Sequence, residues 1–234
     1  MDYKYYSPEE IFGTHGMIYQ LSEIIKKSRF DPDVLIGVSR GGLPIATYLS
    51  GLLKRQEVYA IRAKKYKTEN YEGVESANTE VEISQDVDEN KVRNKLVLLV
   101  DDVADKGDTL KKVYETTENK GPKELRVATL HYKSGSIFEP DYSVVLTKKW
   151  IWIIYSWEPD ESALKIAKEL KSRGKLIDAL KRSGMPKDLR QRVLRDNEIA
   201  LQEIFIEKTQ EQIQAYTHIK KLMYIPKELY QRFL

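Results

Sequence analysis

The chain has 234 residues, of which 41% are hydrophobic and 32% charged, enough apolar material for a buried core beneath a hydrated surface. A formal net charge of +3 is too small to require a nucleic-acid partner. With no cysteine, the chain excludes disulfides, thiolate metal sites and a cysteine nucleophile, and three scattered histidines (His15, His131, His218) argue against zinc. No apolar run approaches the ~18 residues of a membrane span. The acidic, aromatic start MDYKYYSPEE is unlike a signal peptide, so a cytoplasmic location is expected.

MIYQLSEIIKKS (17–28) carries apolar residues at helical spacing. DVLIGVS (33–39) is a short β-rich run ending in small residues, GLPIATYLSGLLKR a helix, and VYAIRA another strand. Residues 66–80 are polar and without period, which predicts a long mobile loop. KLVLLVD reads as a buried strand, TLKKVYETTENKG as a helix ending at Gly121, and LRVATLHY as a strand. Alternating strands and helices argue for an α/β domain with a mainly parallel sheet flanked by helices, expected over residues 1–158. Beyond Glu158 the β signal stops. Residues 159–234 read as a bundle of about three helices, the first ending near Gly174. Charge shifts at the same place: from Asp160 onward there are 16 Lys+Arg against 11 Asp+Glu, before it 23 against 25.

The chemistry concentrates in LVLLVDDVADKGDTL (96–110), an apolar strand that meets two carboxylates and resumes as a helix after Thr109. In an open α/β sheet, ligands bind beyond the carboxyl ends of the strands. Backbone N–H groups at the helix start, with the Thr109 hydroxyl, suit a phosphate. The paired carboxylates Asp101 and Asp102 suit ribose hydroxyls or waters on Mg²⁺. Both demands are met if hydroxyls and phosphate belong to different parts of one sugar phosphate. Taken alone, Asp-Asp after a strand is equally a cap or a surface turn. The order Lys106-Gly107 does not fit a Walker loop, and G-x-G-x-x-G is absent.

The whole run (four aliphatics, two acids, two small or aliphatic residues, Asp, any residue, Gly, any residue, Thr, an aliphatic) resembles the phosphoribosyl pyrophosphate (PRPP) signature of type I phosphoribosyltransferases. The resemblance covers roughly residues 15–158 and implies that family's fold, a twisted sheet with a hood, as well as Mg²⁺ as cofactor and a homodimer. It implies that Asp101 and Asp102 hold the ribose hydroxyls and Mg²⁺ waters, and that Asp105 approaches purine N7 as the catalytic proton acceptor or donor. Asp105, Lys106, Gly107, Asp108 and Thr109 would bind the 5′-phosphate. Ser39-Arg40-Gly41-Gly42, between strand and helix, stands where the family has its pyrophosphate loop. Glycines there let backbone approach the ligand and the arginine brings charge. The stretch from Tyr66 to Glu80 falls where the family carries a lid. Arg62, Lys64 and Lys65 beside it are alternatives for reaching pyrophosphate, Lys64 and Lys65 being the ones carried forward.

For the base, Lys133 matches the lysine that 6-oxopurine enzymes aim at O6. KKWIWIIYSWE resembles the hood, where Trp150 would stack on the base and the Ile151 backbone read its edge. Trp152 and Trp157 are expected to pack, and Glu158 stands two residues beyond the acid that reads the 2-substituent in guanine and xanthine enzymes. A 6-oxopurine-like core followed by a helical third resembles the adenine phosphoribosyltransferases of crenarchaea. The reading therefore expects adenine plus PRPP to give AMP and pyrophosphate, with a carbonyl near Ile151 accepting from N6. A 6-oxopurine enzyme is the alternative. A PRPP-sensing nucleic-acid-binding regulator on the same fold is a third reading, against which Asp105 counts.

Overall fold

The structure is a computed structural model that describes residues 2–69 and 75–206, with the side chains of residues 65–69 and 75–79 outside the description. It forms two compact units, one from Pro8 to Ile151 and the other from the N-terminal residues together with those from Trp152 onward.

The larger unit holds α1 (Pro8–Phe12), α2 (Met17–Lys27), β2 (Val34–Ser39), α3 (Gly42–Leu53), β3 (Val58–Glu69), β4 (Glu75–Gln85), β5 (Leu96–Ala104), α4 (Asp108–Glu118), β6 (Glu124–Lys133) and β7 (Tyr142–Thr147); β1 (Asp2–Tyr6) precedes them. One six-stranded sheet runs in the order β4-β3-β2-β5-β6-β7. Only the β3–β4 pair is antiparallel. Val34–Val38 and Val97–Val100 are buried at every position, as expected of strands covered on both faces. Val34, Ile36, Val38, Val97, Leu99 and Val127 share one core with Leu110 and Val113 of α4. The order places a switch point between β2 and β5: the chain leaves β2 toward β3 on one side and β5 toward β6 on the other. Ligand crevices of open α/β sheets form at such points.

Two expectations change here. Residues 66–69 and 75–80 belong to two strands rather than a loop, with Lys64 opposite Glu82, Tyr66 opposite Glu80 and Lys67 opposite Thr79, and residues 70–74 of the expected loop lie outside the description. Strand segments this rich in polar residues carry no period-2 hydrophobic signal, so composition alone mistakes them for loop. Strand β5 does not stop at Val100 but continues through Asp101 and Asp102 to Ala104, because β6 supplies pairing partners as far as Tyr132.

The second unit contains β1, β8 (Ile151–Tyr155), α5 (Pro159–Leu170), α6 (Arg173–Arg182), α7 (Lys187–Asp196) and further helical residues at 198–206. That makes four helical segments among the described residues where about three are expected; residues 207–234 lie outside the description. The division falls at Ile151/Trp152 rather than at 158, because β1 pairs with β8. Tyr3 and Tyr5 are buried with Ile154, Ala163, Ile166, Leu176 and Leu180. Gly174 does not end the first helix. Lys171, at φ 48°, closes α5, and Gly174 falls in the first turn of α6 behind Ser172, whose side chain accepts from the Lys175 N–H. Among the described residues no helix is long and apolar enough to cross a membrane.

Candidate active site

The carboxyl ends of β2, β5 and β6 carry the residues singled out from sequence. At the tip of β2, Ser39 lies in register with Arg62 of β3, and the Ser39–Arg40 peptide is cis. Gly41 and Gly42 then enter α3. A Cβ at Gly41 would strike the Asp102 carboxylate, and one at Gly42 the Val100 carbonyl. Glycine is therefore needed for close approach, and Asp102 reaches the Arg40–Gly41 loop. Neighbouring strand residues leave opposite faces of a sheet. Asp101 turns its carboxylate back to accept from the Asp102 N–H at 2.9 Å.

After β5 the chain passes Asp105 and Lys106 and turns at Gly107, which has φ 93°. Such a conformation suits glycine, and a Cβ here would meet Ser136 Oγ at 2.6 Å and Phe138 N at 2.7 Å. Gly107 is also the N-cap of α4 and offers no side chain to it. The first-turn N–H groups of α4 point toward the N-terminal end of the helix, the arrangement that holds anions at helix N-termini.

Asp105, Lys106, Asp108, Lys133 and Trp150 line one cavity of about 550 Å³. Within it the Lys133 ammonium stands 3.0 Å from Asp105 Oδ1 and 4.7 Å from the centre of the Trp150 ring. Lys133 is buried, while Trp150 is 48% exposed. Ile151 begins β8 directly after Trp150. Beneath Lys133 on the same strand, His131 is wholly buried, and burial together with the Lys133 charge pushes its pKa down to about 4.

Other expected residues lie apart from this cavity. Ser39 and Arg40 border a second one of about 750 Å³, mostly walled by Phe12, Leu43, Pro44, Tyr48 and Leu52. Lys64 is exposed on β3, two residues past Arg62; the side chain of Lys65 lies outside the description. Trp157 stacks on Tyr155, ring centres 4.6 Å apart and nearly parallel. Glu158 precedes α5, where its carbonyl accepts from the Ser162 N–H. Sequence reasoning missed Ser134, Gly135, Ile137, Thr147, Lys148 and Lys149, which also line the first cavity. The Ser-Gly-Ser spacing after β6 was the available signal, a turn.

Two glycine-built loops and an acidic strand end thus meet at the switch point of the sheet. Residues 7–162 match the phosphoribosyl transferase domain family, and the chain belongs to it. It is 32% identical to the hypoxanthine-guanine phosphoribosyltransferase of Lactococcus lactis subsp. lactis (strain IL1403) over 127 residues, 53% of this chain and 67% of that one. It is 35% identical to the hypoxanthine phosphoribosyltransferase of Escherichia coli (strain K12) over 112 residues, 47% of this chain and 59% of that one. Among solved structures, the purine phosphoribosyltransferase of Pyrococcus horikoshii Ot3 superposes with a TM-score of 0.55 at 33% identity, over 68% of this chain and 95% of that one.

Proposed function

We propose that the protein transfers the phosphoribosyl group of PRPP to a 6-oxopurine, exchanging the bond from C1 to pyrophosphate for one to a ring nitrogen of the base. The carrying observation is Lys133, held between Asp105 and the ring of Trp150 in the cavity that also includes Lys106 and Asp108. A base stacked on Trp150 brings its 6-substituent to the lysine. The O6 of hypoxanthine, guanine or xanthine accepts from an ammonium, whereas the amino group of adenine is itself a donor. Facing an adenine amino group, Lys133 gains no acceptor in exchange for Asp105, which disfavours adenine. The relatives' names support the same choice. The adenine expectation rested on the helical third, and the hypoxanthine and hypoxanthine-guanine names of the relatives favour the alternative over it.

In this reading the first-turn amides of α4, with Lys106 and Thr109, hold the 5′-phosphate, and Asp101 and Asp102 orient the ribose hydroxyls. The Ser39–Gly41 loop holds pyrophosphate, with Lys64 and Lys65 as further cations. Asp105 takes or returns the proton at N7 while Lys133 holds O6, so that much of the barrier is removed by positioning. The donor set fits Mg²⁺. Among the described residues no cluster of three or more ligating side chains exists, and two carboxylates suit a cation that arrives on substrate phosphates. Bound with PRPP, Mg²⁺ supplies charge neutralisation for the leaving pyrophosphate. For the homodimer expected of the family, the half-buried Leu43, Pro44 and Leu52 and the exposed Tyr48 on α3 offer an apolar surface.

The test is pyrophosphate release from PRPP with hypoxanthine, guanine, xanthine and adenine supplied separately. The proposal expects turnover on at least one 6-oxopurine, abolished by chelation of Mg²⁺. A preference for adenine would overturn the base assignment, and silence on all four bases the activity itself.

A further inference from the structure

Between β6 and β7 the turn of residues 134–138 ties four parts of the site together. The Ser136 N–H donates to the Lys133 carbonyl at 2.9 Å, and the Ser134 N–H to the Thr147 carbonyl at 3.0 Å. The Ile137 N–H donates to the Lys106 carbonyl at 2.9 Å, and the Phe138 ring lies 5.5 Å from that of Tyr114 on α4. The turn itself is knotted by one side chain. Ser136 Oγ donates to the Phe138 carbonyl at 3.0 Å and accepts from the Phe138 N–H at 3.3 Å, which fixes the direction of the intervening Ile137 N–H.

The Lys106 carbonyl matters because of the peptide it belongs to. In a trans peptide the C=O and the following N–H point in opposite directions. Holding the Lys106 oxygen on the Ile137 N–H turns the Gly107 N–H away from the turn and keeps a carbonyl oxygen, which would repel an anion, off the loop's binding side. Ser136 also fills the space where a side chain at Gly107 would stand, with its Oγ 2.6 Å from that position. The turn therefore sets both the orientation of the phosphate loop and the need for glycine in it.

We infer that Ser136 is a positioning residue for the 5′-phosphate: it touches no substrate, and acts by locking the turn whose Ile137 N–H holds the Lys106–Gly107 peptide. The inference rests on the reading that this loop takes the phosphate. It also accounts for how a short connection links the base lysine and the phosphate loop at the two ends of one nucleotide.

The test compares calorimetric affinities for inosine 5′-monophosphate and inosine, whose ratio isolates what the phosphate contributes. Wild type should favour the monophosphate strongly. Ser136→Ala should lower the ratio about tenfold, the loss of roughly one well-made hydrogen bond, with inosine affinity changed less than about twofold. Ser136→Thr, which keeps the hydroxyl, should restore the ratio. In turnover, Ser136→Ala should raise KM for PRPP and leave KM for the base unchanged. An unchanged ratio in a folded Ser136→Ala protein, or equal losses for inosine and its monophosphate, would overturn the positioning role while leaving the phosphate-loop reading intact. Wild type that binds both ligands equally would remove that reading and the inference together.

Discussion

The Lys133 ammonium lies 3.0 Å from the Asp105 carboxylate, the lysine side chain only 10% exposed and the aspartate 46%. The two residues proposed to meet neighbouring atoms of one edge of the base, O6 and N7, thus stand within reach of each other. Lys133 has to exchange Asp105 for an acceptor on the ligand. A 6-oxopurine supplies one, which frees Asp105 for N7; adenine does not. The pair is at once a placeholder and a filter.

Breaking it from either side should separate the two functions. Asp105→Asn is expected to cut kcat by about a hundredfold or more, with KM for PRPP within about threefold, as for loss of a proton-transfer group. Lys133→Met should raise KM for the 6-oxopurine by roughly tenfold to a hundredfold, the worth of a hydrogen bond to a charged group, and narrow the preference over adenine. Steady-state kinetics on the two variants decides this. Parallel losses in kcat and in both KM values would mean that the pair is structural only.

Gly41 tests whether the acid pair and the β2 loop share a ligand. Its backbone, at φ −62° and ψ −38°, accommodates any residue, and the atoms nearest to a side chain there are those of the Asp102 carboxylate. Gly41→Ala should leave the melting temperature within a few degrees and raise KM for PRPP by about tenfold or more. A variant with wild-type kinetics would show that Asp102 has freedom to move and takes no part in binding.

His131 predicts acid sensitivity. Its folded pKa of about 4 lies below the ordinary 6.5, first because of burial and then because of the Lys133 charge. The unfolded chain therefore binds the proton more tightly. The associated stability is complete above pH 6.5 and is lost as pH falls toward 4, by about 3 kcal/mol in all. Denaturant titrations at pH 7, 5.5 and 4.5 should show this slope. His131→Asn should be less stable at pH 7 but shallower in its pH response; an equally steep response would assign the acid sensitivity to other groups.

In the smaller unit, Asp160 accepts from Arg192 at 2.8 and 3.3 Å and from Asn197 Nδ2 at 2.8 Å. The paired carboxylate in turn raises the Arg192 pKa. These groups are over a third exposed, which limits the network to about 1 kcal/mol. Asp160→Ala should lower the melting temperature by a few degrees without changing KM for either substrate. A shift in KM for the base would give this unit a part in substrate binding.

How legible each part was follows from where its signal resides. Strands β2, β5 and β6 read directly because burial on both faces makes them continuous apolar runs, and α2 because its apolar residues keep helical spacing. The β3–β4 arm did not read, since its pairing, Lys64 with Glu82 and Tyr66 with Glu80, carries no hydrophobic alternation. Strand β1 is short and finds its partner β8 far along the chain, beyond the whole six-stranded sheet. The end of α5 went unseen because a lysine, not a glycine, adopts the left-handed conformation there. In the site, the local signature led to Asp105, Lys106, Asp108, Lys133 and Trp150, which share one cavity. The bond from Ile137 to Lys106 is invisible in sequence because it joins two turns that are neighbours only across the sheet.

The most direct test is a crystal structure of the protein with inosine 5′-monophosphate. The account predicts the phosphate on the amides that follow Gly107, the ring stacked on Trp150, and Lys133 moved from Asp105 to O6. A nucleotide bound elsewhere, or bound here with the Lys133–Asp105 pair intact and O6 facing away from it, would contradict it.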